Sequence, residues 1–134
     1  MTEEKPKAML VNVGGAVAPV VHSLNQQQPV FICFFVSRDS KPLIRSKIIP
    51  ALNYVPDHYD WIETPAPQDL LACYKKLEDE LPRILNKWEI LPEDLGVEYT
   101  AGTKPMSVAC VLATINTTSK YSYVGAADAS GRDR

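Results

Sequence analysis

The stretch "VFICFFV" at residues 30–36 leaves this chain the fewest choices of fold. A strand with one wet face alternates apolar and polar residues, and this run does not alternate. It is opened by Pro29, closed by the polar "SRDS", and far too short to span a membrane, so it reads as a central strand covered on both faces. Such a strand needs a layer of helices on each side.

The rest of the sequence has the periods to supply those layers. "AMLVNV" (8–13) is a short apolar strand ending in Gly14-Gly15, after which Val17, Val20, Val21 and Leu24 recur at helical spacing, with Pro19 tolerable in the first turn. Residues 43–52, "LIRSKIIPAL", predict a short helix interrupted by Pro50, and 57–65 a third extended segment. From Gln68 to Trp88 the apolar positions Leu70, Tyr74, Leu77, Leu81, Ile84 and Trp88 predict a long amphipathic helix, kinked near Pro82, whose charges form a solvated face. "GVEYT" (96–100) is a fourth strand. "MSVACVLATI" (106–115) is a helix apolar on nearly every side and expected to pack deep, with Pro105 at its first position and Thr103 capping it; "KYSYVG" (120–125) is a last strand. Alternating strands and helices predict a single α/β domain, a Rossmann-like three-layer sandwich with a mostly parallel sheet. Residues 1–7 read as a polar lead, 8–125 as the domain and 126–134 as a tail or linker.

A chain of 134 residues fits one such domain and therefore one principal site. Its 14 basic and 16 acidic side chains leave a net charge of -2, which gives no general attraction to nucleic acid, so any phosphate must be held locally. Cys33, Cys73 and Cys110 are odd in number and lie in apolar or helical stretches without a Cys-x-x-Cys pair; they read as reduced and buried rather than as a disulfide framework, a zinc site or a catalytic thiol. "MTEEKPK" lacks the apolar core of a signal peptide, which predicts a cytoplasmic protein with no membrane partner.

In an open α/β sheet ligands collect beyond the carboxyl ends of the strands. Two loops have that position: Gly14-Gly15-Ala16 after the first strand and "TAGTK" (100–104) after the fourth. Each feeds a helix whose free N–H groups favour an anion, and Lys104 adds a full charge while Thr100 and Thr103 offer hydroxyls. A plain turn with a capped helix fits either loop alone equally well; the pair favours a phosphate-bearing ligand. The spacing is not that of a Walker loop, because Gly96 and Gly102 are one residue too far apart and Pro105 follows Lys104, and the dinucleotide fingerprint is absent. His22 and His58 form no metal pattern, Ser23 and Ser107 lie in no nucleophile elbow, and Arg38, just past the second strand, could reach the same sheet edge.

"EYTAGTKPMS" (98–107) together with "VGGAVAPVVHSL" (13–24) resembles the CARF domain, the Rossmann-like sensor of cyclic oligoadenylates in type III CRISPR defence. Thr100, Gly102, Thr103, Lys104, Met106 and Ser107 match the family's fourth-strand motif, while Glu98 stands where Asp or Asn is usual and Ala101 where Gly is usual; "YSYVGA" is similar to the strand that ends many of these sensors. The resemblance implies a homodimer whose 100–104 loops meet beneath a two-fold symmetric ring, usually cyclic tetra-adenylate. It implies ligand contacts from Gly14, Gly15, Ala16, Arg38, Thr100, Ala101, Gly102, Thr103, Lys104 and Met106, with no cofactor, no metal and no long nucleic acid bound by this domain alone. It also admits a metal-independent ring nuclease in which Lys104 steadies charge on the phosphorus, although no general base is evident. A mononucleotide-binding domain is the third reading. The effectors that often follow such sensors are missing here, since no arginine has a histidine five residues on. The chain is expected to be either a sensor domain separated from its effector or a free-standing CARF protein, any effector then being supplied by a separate protein.

Overall fold

The structure is a computed structural model that describes residues 5–117 and 119–122. Five strands, β1 (Ala8–Asn12), β2 (Phe31–Ser37), β3 (His58–Thr64), β4 (Leu95–Glu98) and β5 (Lys120–Ser122), form one all-parallel sheet in the order β3-β2-β1-β4-β5. The helices are α1 (Ala18–Gln27), α2 (Leu70–Lys87) and α3 (Lys104–Thr114). The expected end of the last strand beyond Ser122, and the 126–134 tail, lie outside the described residues.

The central position of β2 is borne out residue by residue. Ile32, Phe34 and Val36 point into one core with Val20 and Leu24 of α1, whereas Cys33 and Phe35 point into the other with Cys73 and Leu77 of α2 and Ala109 of α3. All five side chains from Ile32 to Val36 are fully buried, which only a strand between two helical layers allows. β1 divides in the same way, Ala8 and Leu10 against Met9 and Val11.

Several local expectations are refined. Residues 44–48 form a π-helical turn and 49–51 a 3-10 turn, so Pro50 sits in a tight segment instead of breaking an α-helix. α2 begins at Leu70, capped by Asp69, whose side chain accepts from the Ala72 N–H at 3.1 Å, and it runs through Pro82. Its buried ladder is Cys73, Leu77, Leu81 and Ile84, with Leu70 turned to solvent. Among the described residues α3 is covered on one side, by α2 and the sheet: Val108, Leu112 and Ile115 stay 43–55% exposed where deep packing was expected. The three cysteines are free and buried, and burial raises the thiol pKa of each.

Among the described residues no helix is long and apolar enough to cross a membrane.

Candidate anion-binding site

The strand order reverses between β1 and β4, which pair in parallel with Val11 opposite Glu98. The loops after these two strands therefore leave the same edge side by side, at the crevice where open α/β sheets bind ligands. They touch through their backbones. A Cβ built on Gly14 would lie 2.7 Å from Gly102 Cα and closer still to the Gly102 nitrogen, so only glycine fits there. A Cβ on Gly15 would meet nothing within 4 Å.

The side chain that joins the loops is Asn12, the last residue of β1 and fully buried. Its Nδ2 donates to the Ala101 carbonyl and to Ser107 Oγ at 2.9 Å. Gly102 lies directly over this amide with φ of +84°, and a Cβ there would come within 2.6 Å of Asn12 Cγ. Glycine is thus required twice over, by the left-handed backbone and by the space. Asn12 Oδ1 has no hydrogen-bond partner among the described residues. Sequence reasoning passed over Asn12, although a lone amide within the apolar run "AMLVNV" was the available signal.

Other groups hold the rest of the loop. Ser107 Oγ lies 2.8 Å from the Tyr99 carbonyl, to which it can donate. Glu98 is fully buried, and its Oε1 accepts the Thr100 N–H at 2.8 Å while its Oε2 accepts from Ser122 Oγ at 3.2 Å, so the longer carboxylate still shapes the turn. Thr103 is the N-cap of α3, accepting from the Met106 N–H at 3.2 Å. Lys104 is consequently the first helical residue and Pro105 the second, one position later than expected.

These contacts sort the expected ligand residues. The Thr103 hydroxyl, expected to face the ligand, donates to the Pro67 carbonyl and so ties the loop to the α2 lead-in. Met106, also expected among the ligand contacts, points away from the loop surface. It is 1% exposed, its side chain is in the core against α2, and its N–H is taken by the cap. Ala101 is buried, with its carbonyl held by Asn12, and serves as framework. Gly102 and Lys104 are exposed, Thr100 is half-buried, and Lys104 has no hydrogen bond or ion pair among the described residues. Gly15 and Ala16 are exposed ahead of α1, whose N-cap Val17 offers no side-chain acceptor to the first N–H groups. Arg38 is exposed just beyond β2 on the same edge, without a hydrogen bond to either loop among the described residues.

Tyr99, Thr100, Gly102, Lys104, Ser107, Val108, Val111 and Leu112 line a cleft of about 540 Å³ that opens along the uncovered side of α3. Its chemistry is that of an anion site with an apolar flank: the Lys104 ammonium, a helix N-terminus and a glycine that lets a ligand approach the backbone. Among the described residues no cluster of three or more His, Cys, Asp or Glu side chains could hold a metal ion.

No protein-family model and no curated protein matches the sequence. Solved structures do match the fold. Can2 from Sulfobacillus thermosulfidooxidans, in complex with cyclic tetra-adenylate, superposes with a TM-score of 0.70 at 17% identity over 88% of this chain and 32% of its own. Protein VC1899 from Vibrio cholerae gives 0.70 at 16% identity, covering 89% of this chain and 31% of its own. Csm6 from Enterococcus italicus, bound to cyclic hexa-2'-fluoro-hexa-dAMP, gives 0.67 at 14% identity, covering 90% and 33%. The chain spans about a third of the length of each of these proteins.

Proposed function

We propose that this chain is a CARF-type sensor domain that binds a cyclic oligoadenylate, cyclic tetra-adenylate first among them, as a two-fold symmetric homodimer in the cytoplasm. The observation that carries the reading is the backbone contact of the Gly14 and Gly102 loops beside Lys104 at the start of α3, a cation with no ion pair among the described residues. That loop pair occurs in a fold shared with proteins solved with cyclic oligoadenylate-type ligands.

A ring with repeated phosphates suits a modest anion cradle presented twice, because each protomer contributes the same contacts and the pair sums them. The dimer reading is supported by Val108, Leu112 and Ile115, an apolar stripe at 4-3 spacing continuous with the cleft that carries Lys104. A second copy seated there would bury the stripe and bring the two Lys104 residues to one ligand. Ring cleavage is the lesser reading, since the described residues that line the cleft include no histidine or carboxylate to act as base.

The test is incubation with labelled cyclic tri-, tetra- and hexa-adenylate, measuring retention and products. Retention without products is expected. Linear products ending in cyclic phosphate would move the assignment to a ring nuclease, and retention of mononucleotides alone at a Lys104-dependent site would overturn the sensor reading.

A further inference from the structure

On the opposite side of the sheet from α3, at its β3 edge, lies a second concave surface that the loop site does not use. Lys41, Pro42, Ile44, Arg45, Tyr59 and Trp61 line a hollow of about 440 Å³, within the size range of small-molecule sites. Tyr59 and Trp61 are two residues apart on β3 and so project from the same face, both half-buried against the core. Arg45 Nε donates to the Tyr59 hydroxyl at 3.2 Å, and Lys41 Nζ sits 4.9 Å from the centre of the Trp61 ring.

The segment beside the hollow is locally basic. Residues 38–47 carry Arg38, Lys41, Arg45 and Lys47 against the single acid Asp39, in a chain whose net charge is -2. The only acid paired with this hollow among the described residues is Glu63, 3.7 Å from Lys41 with both side chains well exposed, a weak contact that a ligand can displace. Arg45 has no acid partner among the described residues and is presented by the π-helical turn 44–48, a geometry that recurs at functional sites.

We propose that this hollow is a second binding site and that it takes a nucleoside phosphate, free or as a unit of single-stranded RNA. The base stacks on Trp61, displacing the Lys41 ammonium from the ring, and the phosphate is held by the Arg45 guanidinium and the released Lys41. Cations beside an aromatic face are the combination by which proteins hold single nucleotides irrespective of sequence. An acidic peptide would use the cations and leave the rings idle. The proposal goes beyond the loop site and stands or falls separately from it.

Tryptophan fluorescence provides the test, because Trp88, the other tryptophan, is packed against Phe31 with ring centres 5.1 Å apart and does not line the hollow. Titration of the full chain with AMP, and in a second arm with linear tetra-adenylate RNA, is expected to quench Trp61. Quenching by AMP identifies free nucleotides as sufficient, and quenching by the oligomer alone identifies RNA. Arg45→Ala, an exposed substitution, is expected to weaken the response about tenfold or more while leaving retention of cyclic tetra-adenylate unchanged. Trp61→Phe is expected to remove the signal. Absence of quenching by both ligands at millimolar concentration, equal affinity in Arg45→Ala, or an equal response to adenosine without phosphate would each overturn the proposal.

Discussion

Gly14 and Gly102, 88 positions apart in sequence, meet so closely that a single added methyl group at Gly14 would overlap the Gly102 backbone. This contact makes one site of two loops. It also separates two glycines that are adjacent in sequence and identical in composition.

Gly14→Ala is expected to lower stability by ~1–3 kcal/mol and weaken ligand retention, because the backbone it meets cannot step aside as a flexible side chain would. Gly15→Ala should change stability by less than ~0.5 kcal/mol, since the new methyl enters open space. Thermal unfolding of the two variants checks the contrast, and equal melting temperatures would contradict the contact.

Asn12→Asp is expected to cost about 3 kcal/mol, measured by urea denaturation at neutral pH. The change replaces a donor by a carboxylate oxygen facing the Ala101 carbonyl in a fully buried position. A loss under ~1 kcal/mol would mean that the amide does not hold the loop.

Lys104→Ala should leave stability nearly unaltered and weaken cyclic oligoadenylate binding by ~1.5–3 kcal/mol per lost contact. Lys104→Arg keeps the charge and should retain much of the affinity. Rising salt should weaken the wild type more than the Ala variant. Wild-type affinity in Lys104→Ala at low salt would reduce the loop to a turn and a helix cap.

Leu112→Glu places a charge in the middle of the open α3 stripe, where the wild-type side chain is 43% exposed. The variant is expected to be folded and monomeric by light scattering, with ligand retention reduced because each half-site then acts alone. A wild-type protein that is monomeric both with and without ligand would argue against the dimer.

Stability should fall as pH rises past about 9. Burial raises the Cys33 and Cys110 thiol pKa values far above their ordinary 9.0, and burial raises Tyr54, whose hydroxyl donates to the Pro29 carbonyl, from 10.0 to about 12. In the unfolded chain these groups ionise first, so above their ordinary values the folded state binds more protons and loses stability with each pH unit. Below that range their contribution is constant. Urea midpoints at pH 7, 9 and 10.5 check the sign, and a midpoint that rises with pH would refute the burial of these groups.

The sequence alone determined the layers, because periodicity belongs to a single element. A continuous apolar strand such as Ile32–Val36 must be covered twice, and the cap at Thr103 and the two glycine loops are readable from a few adjacent residues. Only the tertiary structure decided which side chains face the ligand edge. Met106 turns inward because α3 starts at Lys104 and lays its third residue over α2, and the Thr103 hydroxyl is diverted to Pro67, 36 positions away. Asn12 became the tie between the loops because β4 pairs with β1 and not with its sequence neighbour β3, a choice of strand order that no local window of residues contains.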